Sequence, residues 1–223
     1  MKIVKYESKK DIYPLNNTIN MDRKQINSAA LIINLTIIVL EVIGFALAIN
    51  ELGIDTIIYY TEDSNFLILI ASILFSYYLI KQKEPPKWLS ILKYIATVSV
   101  TITFLVVIFI LSWMSHFSFI ELLTEGSMLY HHTLCPILAI LSFTMLEKYS
   151  FTKKDTIRAL YFTVIYAAIM IPMNILKVVD GPYPFLKVTS QPVLVSLMWI
   201  VIIFGFAFLI ALILKKVNKK III

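Results

Sequence analysis

The sequence has a single cysteine, Cys135, which excludes an internal disulfide and a zinc site built on cysteines. Charge is also scarce. Asp, Glu, Lys and Arg make up 15% of the residues, against about 25% in an ordinary soluble domain. With 59% hydrophobic residues and a mean hydropathy of +0.84, that scarcity points to a polytopic membrane protein of one domain. Aromatic or groove-reading nucleic-acid motifs are absent, so the net charge of +6 is not read as a nucleic-acid footprint. No secretory signal is expected, because the first apolar run, starting near Ala29 after Asn27-Ser28, is too long and too late for a cleaved segment.

Six apolar runs remain, each near the roughly 20 residues a bilayer crossing needs. They are placed at 27–50, 62–81, 89–113, 127–147, 155–176 and 190–214. Pro85-Pro86 separates the second from the third, Gly126 precedes the fourth, and Gly181-Pro182-Tyr183-Pro184 separates the last two. The expected fold is all-α, a six-transmembrane-helix bundle over 27–216, with an amino-terminal segment 1–26 and a tail 217–223. Lys and Arg fall in the amino-terminal segment, the 81–93 and 147–158 loops and the tail, leaving only Lys177 and Lys187 on the other side. By the positive-inside rule both termini are expected to be cytoplasmic, in a multi-pass protein of the cell membrane in contact with membrane lipids.

Only three histidines occur, and two stand together in Tyr130-His131-His132-Thr133-Leu134-Cys135-Pro136, at the entry of the fourth run. Ionisable groups within a membrane helix are expensive and usually face a cavity, a partner or a reaction. Adjacent helical residues diverge by ~100°, so at most one of His131 and His132 points fully into a shared interior. Either one bonds a neighbouring helix while the other sits at the interface, or one of them acts as a general base or acid. No His or carboxylate stands three or four residues from either one, so no metal or other cofactor is expected.

The second run enters through Thr61, Glu62, Asp63, Ser64 and Asn65. Thr61, Ser64 and Asn65 share a helix face. Thr61 or Asp63 would serve as a helix cap. Alternatively, Thr61 or Ser64 is a hydroxyl nucleophile beside a histidine from another helix. Glu41 lies about nine residues, or ~13 Å, from the outer end of the first run. It is a structural carboxyl, or it orients a histidine or binds a cation. Cys135 reads as a small hydrophobe, and Asp180, in the loop before the sixth run, is a second candidate to orient a histidine.

Six helices, a Thr/Ser–Asn entry to helix two, a His-x-x-x-Pro entry to helix four and Tyr183-Pro184-Phe185 after helix five resemble a bacterial family of six-helix integral membrane proteins. That family is similar, at a distance, to the androgen-induced and androgen-dependent membrane hydrolases, which cleave fatty acid esters of hydroxy fatty acids. The resemblance implies hydrolysis, or acyl transfer, of a lipid-like ester. Thr61 or Ser64 would be the nucleophile and His132 or His131 the base. Asn65, Glu41 and Asp180 would bind or orient. His132 stands four residues before Pro136, as in the bacterial pattern, and His131 five before it. The alternative expectation is a non-catalytic module that binds or moves such a molecule.

Overall fold

The computed structural model describes residues 23–114, 116–147 and 149–220. The amino-terminal segment 1–26 therefore lies, up to residue 22, outside the described residues, as do the last three residues of the tail. The protein is an all-helical, multi-pass membrane bundle; no strand occurs among the described residues. Six helices are long and apolar enough to cross a bilayer.

We label them in chain order with one short helix between. They are α1 (Arg23–Leu52), α2 (Tyr60–Ile80), α3 (Lys87–Met114), α4 (Phe119–Thr124), α5 (Gly126–Leu146), α6 (Lys153–Ile175) and α7 (Val193–Lys220). The ends of the first and last helices differ from expectation. α1 is already helical at Arg23, so Asn27-Ser28 is not its cap, and α7 continues through Lys220. Asn218 explains the second difference: its side-chain amide donates to the carbonyls of Phe143 (2.6 Å) and Glu147 (2.8 Å), binding the last turns of α7 to the end of α5.

The interior face of α1 follows helical spacing, but its content is not uniformly apolar. On α1 the buried residues are Ala30, Asn34, Ile37, Glu41, Gly44 and Ala48, alternately four and three apart. Ile32, Val39 and Val42, by contrast, stand exposed on the outer surface. In water this would be inside-out. In lipid it is the stable arrangement, because apolar side chains gain nothing from leaving hydrocarbon and polar ones gain much. α3 is the most enclosed span and packs against α2, α5, α6 and α7. Its two tryptophans, Trp88 and Trp113, are exposed at opposite ends, some 37 Å apart at 1.5 Å per residue, as interfacial aromatic anchors would be.

Both described chain ends lie on one face of the bundle, where Arg23 pairs with Glu84 and Asn218 meets the end of α5. The opposite face carries Glu51, which accepts from the backbone N–H (3.2 Å) and hydroxyl (2.6 Å) of Ser127, fastening the start of α5 to the end of α1. We call these the basic and acidic faces. Lys93 corrects one reading. Counted from sequence as a loop charge, it is 1% exposed inside the bundle, because α3 begins at Lys87 and Lys93 lies nearly two turns in.

Two stretches of α5, Leu129–Leu134 and Ser142–Leu146, are widened to an i→i+5 hydrogen-bond pattern. The first has a cause in the sequence. Pro136 has no N–H to give to the turn before it, which leaves the His131 carbonyl open, and Asn65 of α2 donates its side-chain amide to it at 3.0 Å. Such widened turns often sit at functional sites.

Candidate functional site

Near the acidic face, α1, α2 and α5 bring three ionisable side chains together. His131, fully buried, lies between two carboxylates. Its Nδ1 is 2.7 Å from Glu62 Oε2 and its Nε2 is 3.3 Å from Glu41 Oε2. The separations are those of ion pairs, but neither ring N–H lines up with its oxygen. Both ring nitrogens, both Glu41 oxygens, Glu62 Oε2 and Asn65 Oδ1 therefore have no formed hydrogen bond. Buried polar atoms almost always find partners, so these six atoms, two of them the imidazole's own nitrogens, mark this cluster as special. Phe45 covers the ring at 4.7 Å between centroids, and the Cys135 thiol lies against Glu41.

Gly44 makes the approach of α5 to α1 possible. A Cβ at that position would stand 2.4 Å from His131 Nε2 and 2.9 Å from Tyr130 Cβ. We expect Gly44→Ala to push the imidazole off Glu41 and to destabilise the bundle by about 1–3 kcal/mol, the usual cost of overpacking. Unfolding in bicelles would measure it, and an unchanged midpoint would show that the ring has room to retreat.

His132 points elsewhere, as its divergence from His131 requires. Its Nδ1 is 2.6 Å from the carbonyl oxygen of Leu122. A carbonyl only accepts, so Nδ1 carries the hydrogen. Thr133 donates to the Leu123 carbonyl at 2.8 Å, and the two bonds together dock α4 on α5. Glu121, outside the spans, is held below the usual carboxylate range by the backbone N–H and hydroxyl of Ser118.

The hydroxyls at the start of α2 lie in a different setting. No side chain caps this helix, whose capping position is Tyr59, so neither Thr61 nor Asp63 is the cap. The Thr61 hydroxyl is 3.3 Å from the Tyr183 phenol, and its N–H donates to that same oxygen at 3.1 Å. Burial pushes the Tyr183 phenol well up, which keeps it a neutral hydrogen-bond donor. Ser64 donates to the Thr61 carbonyl at 2.9 Å and meets the Thr103 hydroxyl at 3.0 Å. Thr61 and Tyr183 line a narrow slot of about 70 Å³ between α2, α3, α6 and α7, with Ile102, Val106, Trp199 and Ile203 among its walls.

The expected hydroxyl–imidazole pair is therefore not formed. Each ring nitrogen of His131 is occupied by a carboxylate, His132 binds α4, and both candidate hydroxyls are bonded to other groups. The physical reason is the rotation along α2. Glu62 faces α1 and α5, whereas Thr61, one residue earlier, faces α6 and α7. Asn65 joins the two sides through the backbone, donating to the carbonyls of Thr61 (2.8 Å) and His131 (3.0 Å). Of the two proposed orienting groups, Glu41 reaches His131. Asp180 stands exposed in its loop and pairs with neither histidine.

Sequence reasoning missed Glu62, which it named only within the entry of the second run, and Tyr183, which it named only within a loop motif. The spacing held a signal for Gly44, three residues after Glu41 on the same face.

A second polar cluster lies near the basic face. The Lys93 ammonium donates to Asn34 Oδ1 (2.5 Å) and Ser72 Oγ (2.8 Å) and is 3.6 Å from Glu147 Oε1. Asn34 and Ser142 donate to that same carboxylate oxygen, at 2.9 and 2.6 Å. Lys93 and Glu147 border an open polar cavity of about 580 Å³ that reaches Arg23, Lys83 and Glu84.

No protein-family model, curated protein or solved structure matches this chain.

Proposed function

We propose that this is a multi-pass protein of the cell membrane that takes a lipid-like molecule from the bilayer into the slot beside Thr61 and holds it intact. The observation that carries the reading is the slot's lining, which among the described residues includes hydroxyls and phenols but no imidazole and no carboxylate. A hydroxyl nucleophile needs a base within hydrogen-bond reach, and Thr61 faces only the Tyr183 phenol. A ligand's apolar chain would lie along Ile102, Val106 and Ile203. Its oxygen-bearing end would meet Thr61, Tyr183 and Ser196, whose buried hydroxyl has no partner.

A photoactivatable, alkyne-tagged fatty alcohol, incorporated in vesicles with the purified protein, tests this. It should cross-link to α3 or α7, and Ile203→Trp, which fills the slot, should remove the adduct. Cross-linking unaffected by Ile203→Trp would place the molecule on the outer surface and end the reading.

Ester hydrolysis is the second reading. It is favoured by the placement of the Thr61 hydroxyl in the slot wall beside a protonated phenol, a donor suited to a developing oxyanion. A fluorophosphonate that labels the protein, and no longer labels Thr61→Ala, would establish it over simple binding.

In this proposal the basic face is cytoplasmic, supported by the positive-inside rule. A cysteine placed at Glu121 in a Cys135→Ala background should react with an impermeant maleimide added outside intact cells. Reaction only after the inner side is opened would invert the topology.

A further inference from the structure

The two polar clusters are stacked along the membrane normal with one apolar layer between them; α1, α2 and α5 contribute to all three levels, and α3 to the layer and the basic-face cluster. From the acidic face inward, α1 presents Glu41, Ile37 and Asn34, and α2 presents Glu62 and Asn65, then Ile68 and Ala71, then Ser72. α5 presents His131, Ala139 and Ser142, while α3, entering from the basic face, presents Lys93, Ala96 and Val100. Ile37, Ile68, Ala71, Ala96, Val100 and Ala139 touch one another as a separate buried cluster. Half of them are alanine, with Ile33, Leu67, Leu92 and Leu138 packed around them, so the centre of the layer is lined by small side chains. Glu41 and Asn34 are seven residues apart, or ~10 Å of rise, a gap that a few water molecules span.

The acidic-face cluster looks built for a mobile occupant. Six of its atoms lack an aligned hydrogen bond, and four of these, the two His131 nitrogens and Oε2 of Glu41 and of Glu62, meet only as ion pairs. The basic-face cluster, by contrast, is nearly complete in itself, with only Glu147 Oε2 unpartnered. Among the described residues, no group of three or more His, Cys, Asp or Glu side chains is arranged to hold a metal ion. A proton fits what is there: two carboxylates and an imidazole that share it.

The geometry points to a transmembrane proton path that runs from Glu62 through His131 to Glu41, across the alanine-rich layer, and out by Lys93 and Glu147 into the basic-face cavity. Glu62, with half-buried Asp63 beside it, takes a proton at the acidic face. Its carboxyl O–H proton passes to His131 Nδ1, and the Nε2 proton passes to the Glu41 carboxylate. The imidazole is neutral before and after, in its other tautomer, and the first is restored when a water molecule takes the Nδ1 proton and returns one to Nε2. Glu41 releases its proton into water that enters the layer. Such a hydrophobic constriction gates by wetting and drying, so the dry packing described is the closed state. His132 and Cys135 also border the outer cluster, but His132 is committed to the Leu122 carbonyl.

The test is purified full-length protein in liposomes carrying an entrapped pH-sensitive dye, with a pH gradient and a potassium-valinomycin potential imposed. Wild type should acidify the lumen severalfold faster than protein-free vesicles. Glu41→Gln should return the rate to that of empty vesicles. Ile37→Ser, which keeps every titratable group and admits water to the layer, should raise it. Wild-type vesicles as tight as empty ones, with Ile37→Ser equally tight, would overturn the path. So would Glu41→Gln at the wild-type rate. If Glu41→Gln is not recovered as a monodisperse protein, Ala139→Leu takes its place. It thickens the layer without touching a polar group, and a rate unchanged from wild type would then refute the proposal. Cross-linking of the fatty alcohol reports on the slot alone, so the two assays fail independently.

Discussion

Lys93→Met should destabilise the folded bundle by about 3–5 kcal/mol, the range found when one partner of a buried ion pair is removed. Lys93 is 1% exposed, and Glu147 would be left facing the interior with only Asn34 and Ser142 as donors. The lost hydrogen bonds add to this, because Asn34 Oδ1 and Ser72 Oγ lose the ammonium that donates to both. The double variant Lys93→Met/Glu147→Met should recover a large part of the loss, since the uncompensated charge goes with it. Urea-driven unfolding in bicelles, followed by tryptophan fluorescence, provides the double-mutant cycle. Strict additivity would show that the two charges do not depend on each other, and that the cavity on the basic face hydrates them separately.

His131→Leu is the second large effect. The imidazole separates two carboxylates from different helices, 3.3 and 2.7 Å away. Leucine in its place leaves Glu41 and Glu62 facing one another across apolar surface, with no proton carrier between them. A loss of about 1–3 kcal/mol, more where the groups are charged, is expected from leaving buried carboxyls unsatisfied. The rescue differs: His131→Leu/Glu41→Leu should regain stability, whereas His131→Leu with a substitution of exposed Asp180 should not. Equal, small losses from His131→Leu and His132→Leu would contradict the geometry, because only His131 bridges carboxylates. His132→Leu gives up a bond to the Leu122 carbonyl and should mainly loosen α4.

These expectations show how differently the levels of structure were written in the sequence. The six spans were legible because length and hydropathy decide them, and a meeting of Glu41 with a histidine stood among the open readings, because the cost of burying an ion forces it to find company. The divergence of His131 and His132 followed from helix geometry alone. Which hydroxyl meets which base was not legible. That depends on the rotation of α2 about its axis, and one residue of rotation exchanges Thr61 for Glu62. Lys93 was misread for a similar reason: its distance from the loop could not be judged until Pro86 was seen to precede the first turn of α3. Tyr183 sits on a loop more than a hundred residues from Thr61, and no periodicity predicts a contact of that kind.

The two widened turns of α5 have a mechanical consequence. Each surrenders a backbone carbonyl to an asparagine from another helix, His131 to Asn65 and Phe143 to Asn218. Between them Cys135–Leu141 keeps regular α geometry and carries Ala139. A rod of this design is torsionally soft at two points and stiff between them, with both soft points clamped from outside. Its middle segment can swivel by a few degrees while its ends stay anchored. The torque needed is that of bending two loose turns rather than unwinding seven residues of helix.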